Sequence, residues 1–102
     1  MHALIKHPLF DCDVEEASHW YALKDPALAD RFIDAVEFAM RKAAQRPFQF
    51  STKLFGARKA RIKSFPYGIY FIVGESSVFL SALIHDSQDA ESILRQRNVP
   101  KL

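Results

Sequence analysis

The main change in the apolar period of this chain falls near its middle, and that change confines the folds open to it. Up to Arg46-Pro47 apolar residues return at steps of three and four; from Ala57 onward they alternate or run together. Helical spacing in the first half and strand spacing in the second put helices and strands in separate blocks, which layer packing resolves as an α+β fold.

Two helix starts are legible in the first half. Asp13, with Glu16 three residues later, has the form of a capping box, and Asp11 and Glu15 suit the positive end of a helix. Val14, Ala17, Trp20 or Tyr21, and Lys24 follow at helical spacing, which predicts a first helix over 13–24. Trp20 and Tyr21 are adjacent and cannot share one helix face, so one belongs to the core and the other is partly exposed. Asp25-Pro26 is the stronger start, a capping carboxylate before a proline at the first helical position. Ala29, Phe32, Ile33, Val36, Met40 and Ala43 then face inward until Pro47 disfavours helical geometry at Arg46. With almost no linker between them, the two helices must form an antiparallel hairpin.

Residues 2–6, before the hairpin, read as a strand stopped by Pro8. After it, Ala60 and Ile62 alternate with Lys59, Arg61 and Lys63, a half-buried strand with its charged side in water. Pro66-Tyr67-Gly68 reads as a tight link into a nearly all-apolar central strand, 69–73. A turn at Gly74–Ser77 leads to a third strand over 78–84. Asp86–Asp89 is rich in capping residues, and Ile93, Leu94 and Arg97 mark a short last helix that Pro100 ends. The expected order is β-α-α-β-β-β-α, a helical hairpin packed on a small, mainly antiparallel sheet. The other sheet face, or its edge, is left for something else.

The 102 residues form one domain, 1–102, long enough to bury a core without staples. Apolar residues at 49% and charged residues at 25% are ordinary for a soluble protein, and nine Phe supply much burial per residue. Cys12 is alone, which excludes an internal disulfide and a cysteine-based metal site within one chain. His2, His7 and His19 lack metal-ligand spacing, so no metal site is expected. The start shows no secretory signal, and no window approaches the ~18 apolar residues of a membrane span, so the chain reads as cytoplasmic and away from membranes.

The near-neutral total hides a strong local imbalance. Residues 1–37 hold three Lys/Arg against eight Asp/Glu, whereas residues 38–74 hold eight against none. Arg58, Lys59, Arg61 and Lys63 lead directly into the aromatic strand run, and a basic segment on a strand scaffold is read first as a partner-binding surface. Such cations grip phosphates and carboxylates alike, so the pattern alone does not choose between nucleic acid and peptide. Tyr67 and Tyr70 could donate hydrogen bonds to a ligand, though aromatic strand residues are more often core. His85 is the one histidine beside this segment; a strand-end histidine bonded to its own loop is the plainer reading.

Taken together, these segments resemble the RelE/ParE superfamily of small toxins from type II toxin–antitoxin modules, with a closer likeness to the ParE, or plasmid-stabilisation, branch. Glu16, Ala17, Trp20 and Tyr21 resemble that family's acidic, aromatic first helix, and Ala29-Asp30-Arg31-Phe32 with Ala35 and Pro47 its second. Arg61-Ile62-Lys63-Ser64-Phe65-Pro66-Tyr67-Gly68-Ile69-Tyr70 resembles the central strand pair, and His85-Asp86-Ser87-Gln88-Asp89 the closing segment. The resemblance implies a toxin that blocks a cellular target, DNA gyrase in that branch, and is neutralised by a cognate antitoxin. It also implies association with that antitoxin, or with further copies of the chain, and calls for no cofactor. On this reading Arg58, Lys59, Arg61, Lys63, Tyr67 and His85 would meet the partner. The second reading is a ribosome-dependent ribonuclease, whose cast here would be His85, Arg61, Lys63 and Tyr70. Gln88 stands where family members usually have Arg, and no Arg lies in the strand at Gly68-Ile69-Tyr70, which sets cleavage second. A third reading is a degenerate member that retains association alone.

Overall fold

The computed structural model describes residues 1–97. Its elements are β1 (Ala3–Lys6), α1 (Phe10–Ala22), α2 (Pro26–Gln45), a 3-10 turn (Pro47–Gln49), β2 (Thr52–Leu54), β3 (Ala57–Arg61), β4 (Tyr67–Val73), β5 (Ser77–His85) and α3 (Ala90–Gln96). Pro100, expected to stop the last helix, lies outside the described residues. The strands form one sheet in the order β1-β5-β4-β3-β2. Its neighbours run antiparallel except β1, which pairs parallel to β5 from Ala3↔Ser77 to Lys6↔Leu80. The α+β class and the hairpin on a mainly antiparallel sheet are as expected; the short edge strand β2 is an addition. No helix among the described residues is long and apolar enough to cross a membrane.

Local chemistry sets several boundaries. Asp25 caps α2 by accepting a hydrogen bond from the Ala27 N–H at 3.0 Å, with Pro26 at the first helical position. Asp89 caps α3, its carboxylate accepting from the Ser92 N–H and hydroxyl; those bonds hold its pKa below the usual carboxylate value. Phe55-Gly56 joins β2 to β3 with both residues at positive φ (51° and 76°), the geometry of a tight hairpin turn.

Two expectations are corrected. First, α1 begins at Phe10 rather than Asp13, and its N-cap, Leu9, makes no side-chain cap bond. Phe10 is fully buried, so core packing pulls the first turn in earlier. His7 supports that turn, its Nδ1 accepting from the Leu9 N–H at 3.0 Å and its carbonyl from the Phe10 N–H at 2.9 Å. Second, Tyr67 and Gly68 belong to β4, and the link runs through Ser64, which carries φ 71°. Gly68 leaves room for the Lys59 side chain, which a Cβ there would push aside, meeting its Cε at 2.5 Å.

The main core lies between the hairpin and one sheet face. Phe10, Ala17 and Tyr21 of α1 and Phe32, Val36 and Ala43 of α2 cover Ala60, Ile69, Phe71, Val78, Leu80 and Leu83. Phe32 is its aromatic centre, with ring centroids 5.0 Å from Tyr21, 5.1 Å from Phe65 and 5.2 Å from Tyr67. Of the adjacent pair on α1, Tyr21 is buried and Trp20 exposed. Leu80 and Leu83 share this face despite odd spacing, because the β4–β5 register shifts between Phe71↔Leu80 and Tyr70↔Ala82 and leaves Ser81 as an extra residue. The reverse face carries a smaller core, Ala57, Tyr70, Ala82 and Ile84 beneath Leu94 of α3.

Candidate functional site, an aromatic cleft at the open edge of a strand

The site begins where β1 ends. β1 covers the outer edge of β5 only as far as Leu80, whose carbonyl accepts from the His7 N–H at 2.9 Å. Beyond that point side chains complete the edge, because backbone polar groups in a half-buried strand need partners. Arg97 donates to the Ser81 carbonyl at 3.1 Å, and the Leu83 N–H donates to Asp13 Oδ2 at 3.1 Å. Arg97 and Asp13 also join each other by two hydrogen bonds, Nη2 to Oδ1 at 2.7 Å and Nη1 to Oδ2 at 3.0 Å. Their side chains are only 11% and 15% exposed, so this fork ties α1 and α3 to β5 out of reach of most solvent. Asp13, expected as a helix cap, closes a sheet edge instead.

Between the two tied helices opens a cleft of about 870 Å³, walled by Trp20 and Tyr21 of α1, Tyr67 of β4, His85 of β5, Gln88 of the following loop and Ile93 of α3. Burial raises the pKa of Tyr67; burial, then the neighbouring Tyr67, raises that of Tyr21. Both phenols therefore stay protonated as donors. His85 sits edge-on to Tyr67 at 4.9 Å. Its Nδ1 accepts from the Ser87 N–H at 2.9 Å and lies 2.8 Å from the Ser87 hydroxyl. The His85 ring is thus bonded to its own loop through Nδ1. Gln88 closes the same turn, its Oε1 accepting from the His85 N–H at 2.9 Å.

Of the six residues expected to meet a partner, only Tyr67 and His85 line this cleft. Lys59 and Arg61 lie on the reverse face and share Asp86, at 3.4 Å and 3.6 Å. The Lys59 stem lies over Gly68 with its ammonium 5.7 Å from the Tyr70 ring. Arg58 points to the hairpin side at the far end, donating to the Phe50 carbonyl and lying 5.1 Å from the Phe48 ring. Lys63 lines a separate groove of about 680 Å³ with Arg31 and Phe38 of α2. The cations thus occupy several faces rather than one platform. Sequence reading missed Asp13 and Arg97 as a pair, since nothing local links residues 84 apart. No group of three or more His, Cys, Asp or Glu among the described residues is placed to hold a metal ion.

The family described as ParE toxin of type II toxin–antitoxin system, parDE, matches residues 4–90. The chain belongs to the ParE toxin family. Among solved structures it is similar to a chain of the chromosomal ParDE toxin–antitoxin system from P. aeruginosa, with a TM-score of 0.71 and 16% identity. That alignment covers 83% of this chain and 96% of the other, a likeness of fold. No curated protein matches. As a ParE-family domain the chain spans β1 to the start of α3 within the matched segment, so the hairpin, the sheet and most of the cleft lie inside it.

Proposed function

We propose that this chain is a toxin that acts by binding rather than by cleavage, with DNA gyrase as the target its branch implies and a cognate antitoxin as its neutraliser. What supports binding over cleavage is the dispersal of the nuclease cast. His85 faces the hairpin-side cleft, whereas Arg61 is held with Asp86 on the reverse face. Tyr70 is buried on that reverse face, and Lys63 lines the groove beside α2. General acid–base chemistry needs its groups within hydrogen-bond reach of one phosphodiester, and these four do not converge.

The antitoxin contact is read from the same geometry. The aromatic cleft, with Trp20 half-exposed at its wall, suits an apolar side chain of a partner segment. Arg58, Lys59, Arg61 and Lys63 offer charge to its carboxylates on different faces, so the segment that meets them must wrap around the domain. A disordered acidic tail that orders on binding has that reach.

The test is expression of the chain alone and beside its genomic neighbour, with gyrase supercoiling measured on purified protein. Growth arrest, lost supercoiling and relief by a co-purifying acidic partner are expected. Message cleavage on ribosomes that disappears in His85→Ala would replace this proposal with the nuclease reading. Harmless accumulation would leave only association.

A further inference from the structure

The aromatic cleft carries charge as well as apolar walls, and that charge does not balance. Of the Asp, Glu, Lys and Arg side chains, Asp13, Glu16 and Arg97 line it. Asp13 and Arg97 answer each other at 2.7 Å, which leaves Glu16. Glu16 is exposed and belongs to none of the ion pairs among the described residues. It does not serve the helix start either. The first turn of α1 holds Asp11 and Asp13, and Glu16 lies past it, where the dipole no longer favours an acid.

Rings stand around that carboxylate. Trp20 lies four residues on from Glu16, so the two share one side of α1, and both line the cleft. Trp20 stands 5.1 Å from Tyr21, and Tyr21 stands 6.3 Å from Tyr67, centroid to centroid, which makes the wall continuous. Aromatic faces are electron-rich and draw cations. This wall already does so, since Lys24 places its ammonium 4.4 Å from the Trp20 centroid. Lys24 is not among the residues that line the cleft, and it leaves Glu16 unpaired.

We propose that the cleft takes an arginine side chain from a partner polypeptide, its guanidinium against the Trp20 and Tyr67 rings and paired with Glu16. Arginine suits it better than lysine, because a planar guanidinium stacks on rings and is more weakly hydrated. The methylene stem of the arginine supplies the apolar contact that Ile93 and the rings offer. About 870 Å³ is room for such a side chain with its backbone alongside. A carboxylate would be repelled by both Glu16 and the ring faces. The acidic part of a partner therefore belongs with the cations on the other faces. This occupant presupposes that the chain works by binding, as proposed above, and adds what its cleft selects.

The experiment titrates the full chain at about pH 8, where free imidazole is uncharged, with acetyl-Gly-Arg-Gly-amide. The same peptide with citrulline, norleucine or glutamate at its centre is titrated beside it. Trp20 is the only tryptophan, so its fluorescence reads the cleft directly. The arginine peptide should give a saturable change, and citrulline, similar in shape but uncharged, should bind about 10-fold more weakly. Glutamate should give none. Glu16→Gln should weaken the arginine peptide about 5-fold and remove most of its salt dependence. Glu15→Gln, the neighbouring acid outside the cleft, should leave both unchanged. Trp20→Leu, read by calorimetry, should weaken binding about 5-fold with the salt dependence kept. Equal or tighter binding of the norleucine peptide, binding of the glutamate peptide, unaltered affinity in Glu16→Gln or no saturable response to arginine would each overturn the proposal. Any of these leaves gyrase inhibition and its relief by an antitoxin standing, and harmless expression of the chain would not move the peptide affinities.

Discussion

The two faces of the sheet share the same strands yet are held in different ways. The hairpin face is covered by two long helices and a continuous apolar core centred on Phe32. The reverse face has the seven-residue α3, with Leu94 over a few small and aromatic side chains. On the first face stability is a matter of volume, spread over many weak contacts. On the second a short helix cannot bury enough, and the bonds of Arg97 to Asp13 and Ser81 fix its position. Directional bonds hold a small element where burial alone would leave it marginal. The cleft forms at the seam between these two regimes.

That contrast can be broken at several points. The largest loss is expected for Phe32→Ala, about 4 kcal/mol in denaturant unfolding, because the ring is fully buried among three aromatic neighbours. A loss under ~1 kcal/mol would show that the hairpin face is not volume-controlled. Arg97→Ala should cost about 3 kcal/mol, since it strands the Asp13 carboxylate with little solvent. Faster hydrogen exchange at the Leu83 amide, with the hairpin still protected, would locate that effect at the β5 edge; a uniform change would argue for one cooperative unit. The tyrosines give a pH signature. Tyr21 and Tyr67 have folded pKa values raised above 10.0, so their contribution is complete below that pH. It is lost as pH rises through the raised values, because the unfolded chain releases its phenolic protons first. Stability flat across that window would contradict their burial. The smallest effect is expected for Arg61→Gln, within about 0.5 kcal/mol, because its side chain is 71% exposed and only 3.6 Å from Asp86.

Much of the fold is legible in the sequence. The change of apolar period separated the hairpin from the sheet, and Asp25-Pro26 marked the start of α2 as the structure has it. The candidate site was legible only in pieces. The sequence points to Tyr67 and His85, which line the cleft, but groups them with cations that lie elsewhere. The sequence reading takes Arg58 and Lys59 as one basic surface, whereas alternation along β3 sends Arg58 to the hairpin side beside Phe48 and Lys59 to the reverse face beside Asp86.

What the residues determined alone is whatever resolves within a turn or a strand: helical period, proline stops, the caps at Asp25 and Asp89, the alternation in β3. These depend on contacts a few positions apart, where the chain has little freedom to choose another partner. Tertiary structure decided the parallel seat of β1, the extra residue at Ser81, the match of Asp13 with Arg97 and the sharing of Asp86 by Lys59 and Arg61. A carboxylate can cap a helix, close a strand edge or hold a guanidinium equally well. Which it does is set by what the folded chain brings within about 3 Å, the reach of a hydrogen bond.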